Sequence, residues 1–202
     1  MTVRVLLAED QAMVRGALAS LLALEGDIEV VSEVARGDLV LDAARASTPD
    51  VALLDIEMPG QDGIEAAREL AAELPGVRAV VLTTFGRPGF LRRAMEVGAA
   101  GFLVKDAPVA ELATAIRAVV AGERVIDREL AAAALAIGAT PLSAREADVL
   151  REAADGATVA DIARRLFLSE GTVRNYLSSA IGKTGARTRV EAARVAQEKG
   201  WL

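Results

Sequence analysis

The chain has 202 residues, 52% hydrophobic and 26% charged, with a formal net charge of −6 and neither cysteine nor histidine. That length suits two domains of ordinary size, each able to bury a core without disulfide or metal support. The missing residue types exclude disulfides, thiolate chemistry, the common zinc sites, and any histidine base, nucleophile or phosphoryl relay within the chain.

From Met1 the chain enters a strand-like run, Val3-Arg4-Val5-Leu6-Leu7-Ala8, closed by Glu9-Asp10. Residues 11–24 repeat apolar side chains at helical spacing, and residues 28–34 read as a strand. Residues 36–47 are helical up to Pro49. Val51-Ala52-Leu53-Leu54 ends in Asp55, and Met58-Pro59-Gly60 is turn chemistry before a helix over 62–73. The run 78–83 ends in Thr83, a helix over 88–97 stops at Gly98, and the run 101–105 ends in Lys105. A helix over 108–121 closes at Gly122.

Five near-continuously apolar strands alternating with five helices predict an α/β fold, a doubly wound parallel sheet with both faces covered. Ligands of such sheets sit beyond the carboxyl ends of the strands. Glu9, Asp10, Asp55, Thr83 and Lys105 all fall there, and in a flavodoxin-like strand order they share one pocket. Crowded carboxylates repel one another unless a cation lies between them, and an oxygen-only donor set suits Mg²⁺. One Asp55 oxygen is then free to act as a nucleophile toward phosphorus. The Thr83 hydroxyl and the Lys105 ammonium complement phosphoryl oxygens. Singly, each residue has a plainer role: a helix cap, a strand threonine, a solvated lysine. Phe102 reads first as core.

Residues 123–140 form a partly helical connector, with Gly138-Ala139-Thr140-Pro141 as the boundary. Residues 1–122 carry 11 basic and 18 acidic side chains, whereas 141–202 carry 10 and 8. Ser143 and Glu146 form a capping box for a helix that stops at Gly156. Thr158 caps a short helix with Ile162, Ala163 and Leu166 inward, and Ser169 caps another that runs to about Thr184. The joint Phe167-Leu168-Ser169 has helix-turn-helix spacing, and a final helix covers 188–198. In the longer helix Val173, Leu177 and Ile181 face inward, so Arg174, Asn175 and Ser178 project outward, and Thr172 joins them as a candidate DNA contact. Arginine matches guanine edges and asparagine matches adenine edges. Lys183, Arg187 and Arg189 are placed for phosphates, in a stretch, 171–190, without acidic residues.

On these residues the first 122 positions resemble the receiver domain of bacterial two-component response regulators: Glu9-Asp10, Asp55 followed by Met58-Pro59-Gly60, Thr83 and Lys105. The resemblance implies Mg²⁺ on the acidic pair and Asp55, a backbone carbonyl ligand from Glu57, phosphoacceptance by Asp55, and switching through Thr83 and Phe102. The aromatic position is often tyrosine, so hydrogen bonding by that ring is lost here. Asp106 stands where the family often has proline. The stretches Leu142-Ser143-Ala144-Arg145-Glu146, Ile162-Ala163 and Leu168 to Asn175 resemble the LuxR-type DNA-binding domain, with Tyr176 in place of its usual histidine. Together they resemble the NarL/FixJ type of regulator. That implies a sensor histidine kinase, double-stranded DNA and homodimerisation on phosphorylation, through the first and fifth receiver helices. Residues 83–89 and 198–201 further resemble regulators of membrane-lipid desaturation. A phosphorylation-independent DNA-binding regulator is the alternative. An aspartyl-phosphate enzyme is a poorer one, because Glu57 occupies the position where such enzymes commonly carry a second aspartate. The absence of a leader-like segment and of an apolar run of about 18 residues predicts a cytoplasmic protein without membrane insertion.

Overall fold

A computed structural model describes residues 2–84, 88–105, 108–128, 130–132, 140–154 and 156–202. The chain divides into two compact units, a sheet unit of residues 1–86 and 91–131 and a helical unit of residues 132–202, with 87–90 grouped with the second.

In the sheet unit the apolar runs become β1 (Val3–Ala8), β2 (Ile28–Val34), β3 (Val51–Asp55), β4 (Arg78–Thr83) and β5 (Gly101–Val104). The connecting helices are α1 (Ala12–Leu22), α2 (Val40–Ser47), α3 (Gly63–Glu73), α4 (Pro88–Glu96) and α5 (Val109–Val120). A 3-10 turn, Gly37–Leu39, precedes α2, so the stretch that reads as one helix over 36–47 is two elements. All described pairings are parallel, in the order β2-β1-β3-β4-β5-β6. The sixth strand, β6 (Val125–Ile126), departs from the five-stranded expectation: it lies in the stretch read as a connector and pairs with Gly101 and Phe102. Two apolar residues between Arg124 and Asp127 are too few to show a strand period. Beyond it, residues 128 and 130–132 are helical, and the rest of the helical part expected of this connector lies outside the described residues.

Burial on both faces explains the unbroken apolar runs. Val5, Leu7, Leu53, Val80 and Leu82 pack under Leu22 of α1 and Ile116 and Val119 of α5. Each such side chain stabilises the fold by about 1.5–3 kcal/mol through burial. α3 is capped by Asp62, whose carboxylate accepts from the Glu65 amide at 2.7 Å.

The helical unit comprises α6 (Ala144–Ala154), α7 (Val159–Arg165), α8 (Glu170–Thr184) and α9 (Arg189–Glu198). Leu142, Val149, Leu150, Ile162, Val173, Leu177 and small alanines of α9 form its core. Thr158, Ser169 and Thr188 cap α7, α8 and α9 through their hydroxyls. Gly185 ends α8 in the left-handed region (φ 72°), where glycine has no Cβ penalty. In the α7–α8 turn Phe167 takes φ 55° and is 95% exposed, while Leu168 returns to the core.

Candidate functional site

Strand register assembles the pocket. Ala8 lies opposite Leu54, so Glu9 follows beside Asp55. Asp55 lies opposite Leu82, so Thr83 is one step on. Thr83 lies opposite Val104, so Lys105 comes next, its amide donating to the Thr83 carbonyl at 2.8 Å. Each strand thus delivers its polar residue where apolar pairing stops, at the edge where β1 and β3 lie side by side and the chain reverses its winding.

The loop after Asp55 is held from two sides. The Gly63 amide donates to the Ile56 carbonyl (3.1 Å), and the Gly37 amide donates to the Pro59 carbonyl (3.2 Å). A Cβ on Gly63 would meet the Asp55 carbonyl oxygen at 1.9 Å. Glu57, expected to offer its carbonyl, lies in this loop with an exposed side chain.

Glu9, Asp55 and Thr83 are buried and Asp10 is exposed. One carboxylate oxygen from each of Glu9, Asp10 and Asp55 lies within 4.8 Å of the other two. Two buried acids and one exposed acid thus offer hard oxygen donors at one point, a set that fits Mg²⁺. The Lys105 ammonium bridges two of the acids, 2.5 Å from Glu9 Oε2 and 2.8 Å from Asp55 Oδ1. Burial weighs against its charge, but the hydrogen bonds to Asp55 and Glu9 outweigh that and raise its pKa. Burial pushes the Glu9 carboxyl above its ordinary range, and the Asp55 charge adds to that, against the pull of Lys105.

Phe102 is fully buried in β5, opposite Val81. Asp106 lies outside the described residues. Sequence reasoning missed the supports. Arg15 Nη1 donates to the Glu9 carbonyl at 2.7 Å, and the Gln11 amide donates to Glu9 Oε1 at 3.2 Å. Gly63 is the other omission, and no local motif marks it.

On α8, Arg174, Asn175 and Ser178 are exposed, as the apolar spacing predicts. Arg174 pairs with Glu170 one turn earlier at 2.6 Å. Thr172 is half-buried, its hydroxyl 2.8 Å from that of Ser169. The residues expected on phosphates diverge. Arg187 is exposed. Arg189 donates to the Ala157 carbonyl at 3.0 Å. Lys183 donates to both Glu146 oxygens, at 2.7 and 2.9 Å. Glu146 is itself buried and also accepts from the Ser143 amide and the Ser179 hydroxyl, each at 2.6 Å. Burial raises the pKa of this carboxyl, yet the Lys183, Ser179 and Ser143 hydrogen bonds together bring it down to about 2.

Comparison with known proteins agrees with both halves. Residues 5–117 match the response regulator receiver domain, and residues 140–196 match the bacterial regulatory proteins of the luxR family. Two transcriptional regulatory proteins of Bacillus subtilis (strain 168) are similar along their whole length. YvfU is 46% identical over 99% of this chain and 100% of its own. DesR is 45% identical over 99% of each. The crystal structure of the response regulator ChrA from a heme-sensing two-component system aligns over 100% of this chain and 99% of its own, with 34% identity and a TM-score of 0.60.

Proposed function

Since the chain belongs to the two-component response regulators that join a receiver domain to a luxR-family DNA-binding domain, we propose that a sensor histidine kinase phosphorylates Asp55, and that the phosphorylated protein dimerises and regulates transcription from specific DNA sites. The proposed boundaries are 1–122 for the receiver, 123–140 for the connector, whose Val125–Ile126 extends the receiver sheet, and 141–202 for the DNA-binding domain. The similar proteins are transcriptional regulators, which sets the aspartyl-phosphate enzyme aside.

The observation that carries this reading is the Lys105 bridge between Glu9 and Asp55 at the strand ends. In the transfer, an Asp55 carboxylate oxygen forms a bond to phosphorus as the phosphorus–nitrogen bond to the kinase histidine breaks. Glu9, Asp10, Asp55 and the Glu57 carbonyl would hold Mg²⁺, which supplies positive charge against the phosphoryl oxygens. Lys105 exchanges carboxylate partners for a phosphoryl oxygen, and Thr83 turns its hydroxyl toward another. Phe102 repacks in response, biasing a two-state receiver. Arg174, Asn175 and Ser178 read base edges from the major groove, Thr172 supports them at the helix start, and Arg187 meets a phosphate.

No helix among the described residues is long and apolar enough to cross a membrane, and a cytoplasmic site of action accords with the proposed partners. Residues 83–89 and 198–201 support a lipid-desaturation type of regulon. Unchanged desaturase transcripts in a deletion strain would remove that assignment.

The main test is mass by light scattering with Mg²⁺, before and after beryllofluoride, which stands in for the phosphoryl group. The expected result is a monomer-to-dimer shift that Asp55→Ala abolishes. A mass unchanged by beryllofluoride, with DNA binding retained, would favour the phosphorylation-independent regulator.

A further inference from the structure

Lys183 looks from its place in the sequence like a phosphate contact, being the next basic residue of α8 after Arg174. Its geometry argues otherwise. Both ammonium contacts are to Glu146, 37 residues earlier and buried at the start of α6. The same carboxylate accepts from Ser179 of α8 and from the Ser143 amide, and the Glu146 amide donates back to the Ser143 hydroxyl at 3.3 Å. One side chain therefore closes the cap of α6 and grips α8 at two residues four apart, which fixes both the rotation and the slide of α8 against α6. Withdrawing Lys183 to meet DNA would leave a buried carboxylate without its cation, which is costly. Arg187 has no such obligation to a buried acid.

Resting on the DNA-binding reading above, we infer that Glu146 and Lys183 are positioning residues that set the angle of the recognition helix, and that Lys183 does not contact DNA phosphate. The two roles differ in what salt and sequence do. A phosphate contact contributes about 0.9 to the slope of log affinity against log salt, equally for all sequences. A residue that aims the helix leaves the slope alone and changes discrimination between sequences, because base contacts depend on helix angle.

The experiment uses the full chain with Mg²⁺ and beryllofluoride and two probes: a random-sequence 30-base-pair duplex, and a duplex selected by the wild-type protein from a random pool. For Lys183→Gln and Glu146→Gln the expected result is an unchanged salt slope on the random duplex and roughly a tenfold fall in preference for the selected one. The two losses do not add in the double variant, and Lys183→Arg restores the preference. Arg187→Gln serves as the comparison and lowers the slope by about 1. A slope lowered by about 1 in Lys183→Gln overturns the inference, and so does a preference that neither variant alters. If Lys183→Gln fails to fold, Lys183→Met, which keeps the stem and drops the charge, and Ser179→Ala carry the same comparison, the latter with a smaller loss. Failure of the wild-type protein to bind either duplex is a separate result, and it refutes the DNA-binding reading itself.

Discussion

Gly63 and Gly16 both fall in runs that read as helix, and the fold treats them oppositely. A Cβ at Gly63 would strike the carbonyl oxygen of Asp55, a rigid backbone atom at 1.9 Å, whereas at Gly16, on α1, it meets nothing within 4 Å. Gly63→Ala should therefore cost roughly 2–3 kcal/mol in urea unfolding and weaken beryllofluoride binding, by shifting the strand end that carries Asp55. Gly16→Ala should stabilise by roughly 0.5–1 kcal/mol and leave binding unchanged. Equal effects at the two positions would show that the loop after Asp55 yields. The positions of Glu9, Asp55, Thr83 and Lys105 were legible because an apolar run that stops at a charge marks a strand end, and strand ends converge. The engagement of Lys183 was not legible: its partner is remote in sequence and joined only by packing.

At the scale of elements, the caps at Ser143, Thr158 and Ser169 could be read directly, since a side chain capping its own helix is a local event. β6 could not, because two residues become a strand only where an edge such as β5 awaits them. The α6–α8 tie was half visible: the capping box was in the sequence, its second use was not. This tie has a pH signature. Glu146 titrates near 2 in the folded protein against an ordinary 4.5. A depressed folded pKa contributes stability that is complete above the ordinary value and lost as pH falls from about 4.5 toward 2. Trp201, the only tryptophan, packs on the helical core and reports this unit selectively. Acid unfolding followed by its fluorescence should show a steep loss of stability across that window. Glu146→Gln should be less stable at neutral pH by roughly 1–3 kcal/mol and show a shallower slope below pH 4.5. Parallel acid profiles for the two proteins would mean that the carboxylate is not held ionised by the fold.

At the scale of the whole molecule, the two units differ in how far apart in sequence their contacts lie. Val5 pairs with Val51, and Val51 with Arg78, so the central strands of the sheet join only after long stretches of chain are in place. In the helical unit the backbone hydrogen bonds close within each helix, four residues apart, and only side-chain packing such as that of α6 on α8 spans longer stretches. Non-local topologies lose more chain entropy before contacts repay it, and they fold more slowly, by orders of magnitude at the extremes. After dilution from denaturant, pulse-labelled amides of α6 to α9 should gain protection at least roughly tenfold faster than those of β1, β3 and β4. Simultaneous protection would show that the halves fold as one. On the ribosome the order of synthesis works the other way. Every described strand, through Ile126, emerges before the first residue of α6. The slow half thereby gains a head start of seconds, at roughly 5–20 residues per second. The arrangement of domains along the chain, parallel sheet first and helices last, shortens the time in which the luxR-family domain exists without a folded receiver beside it in the same chain.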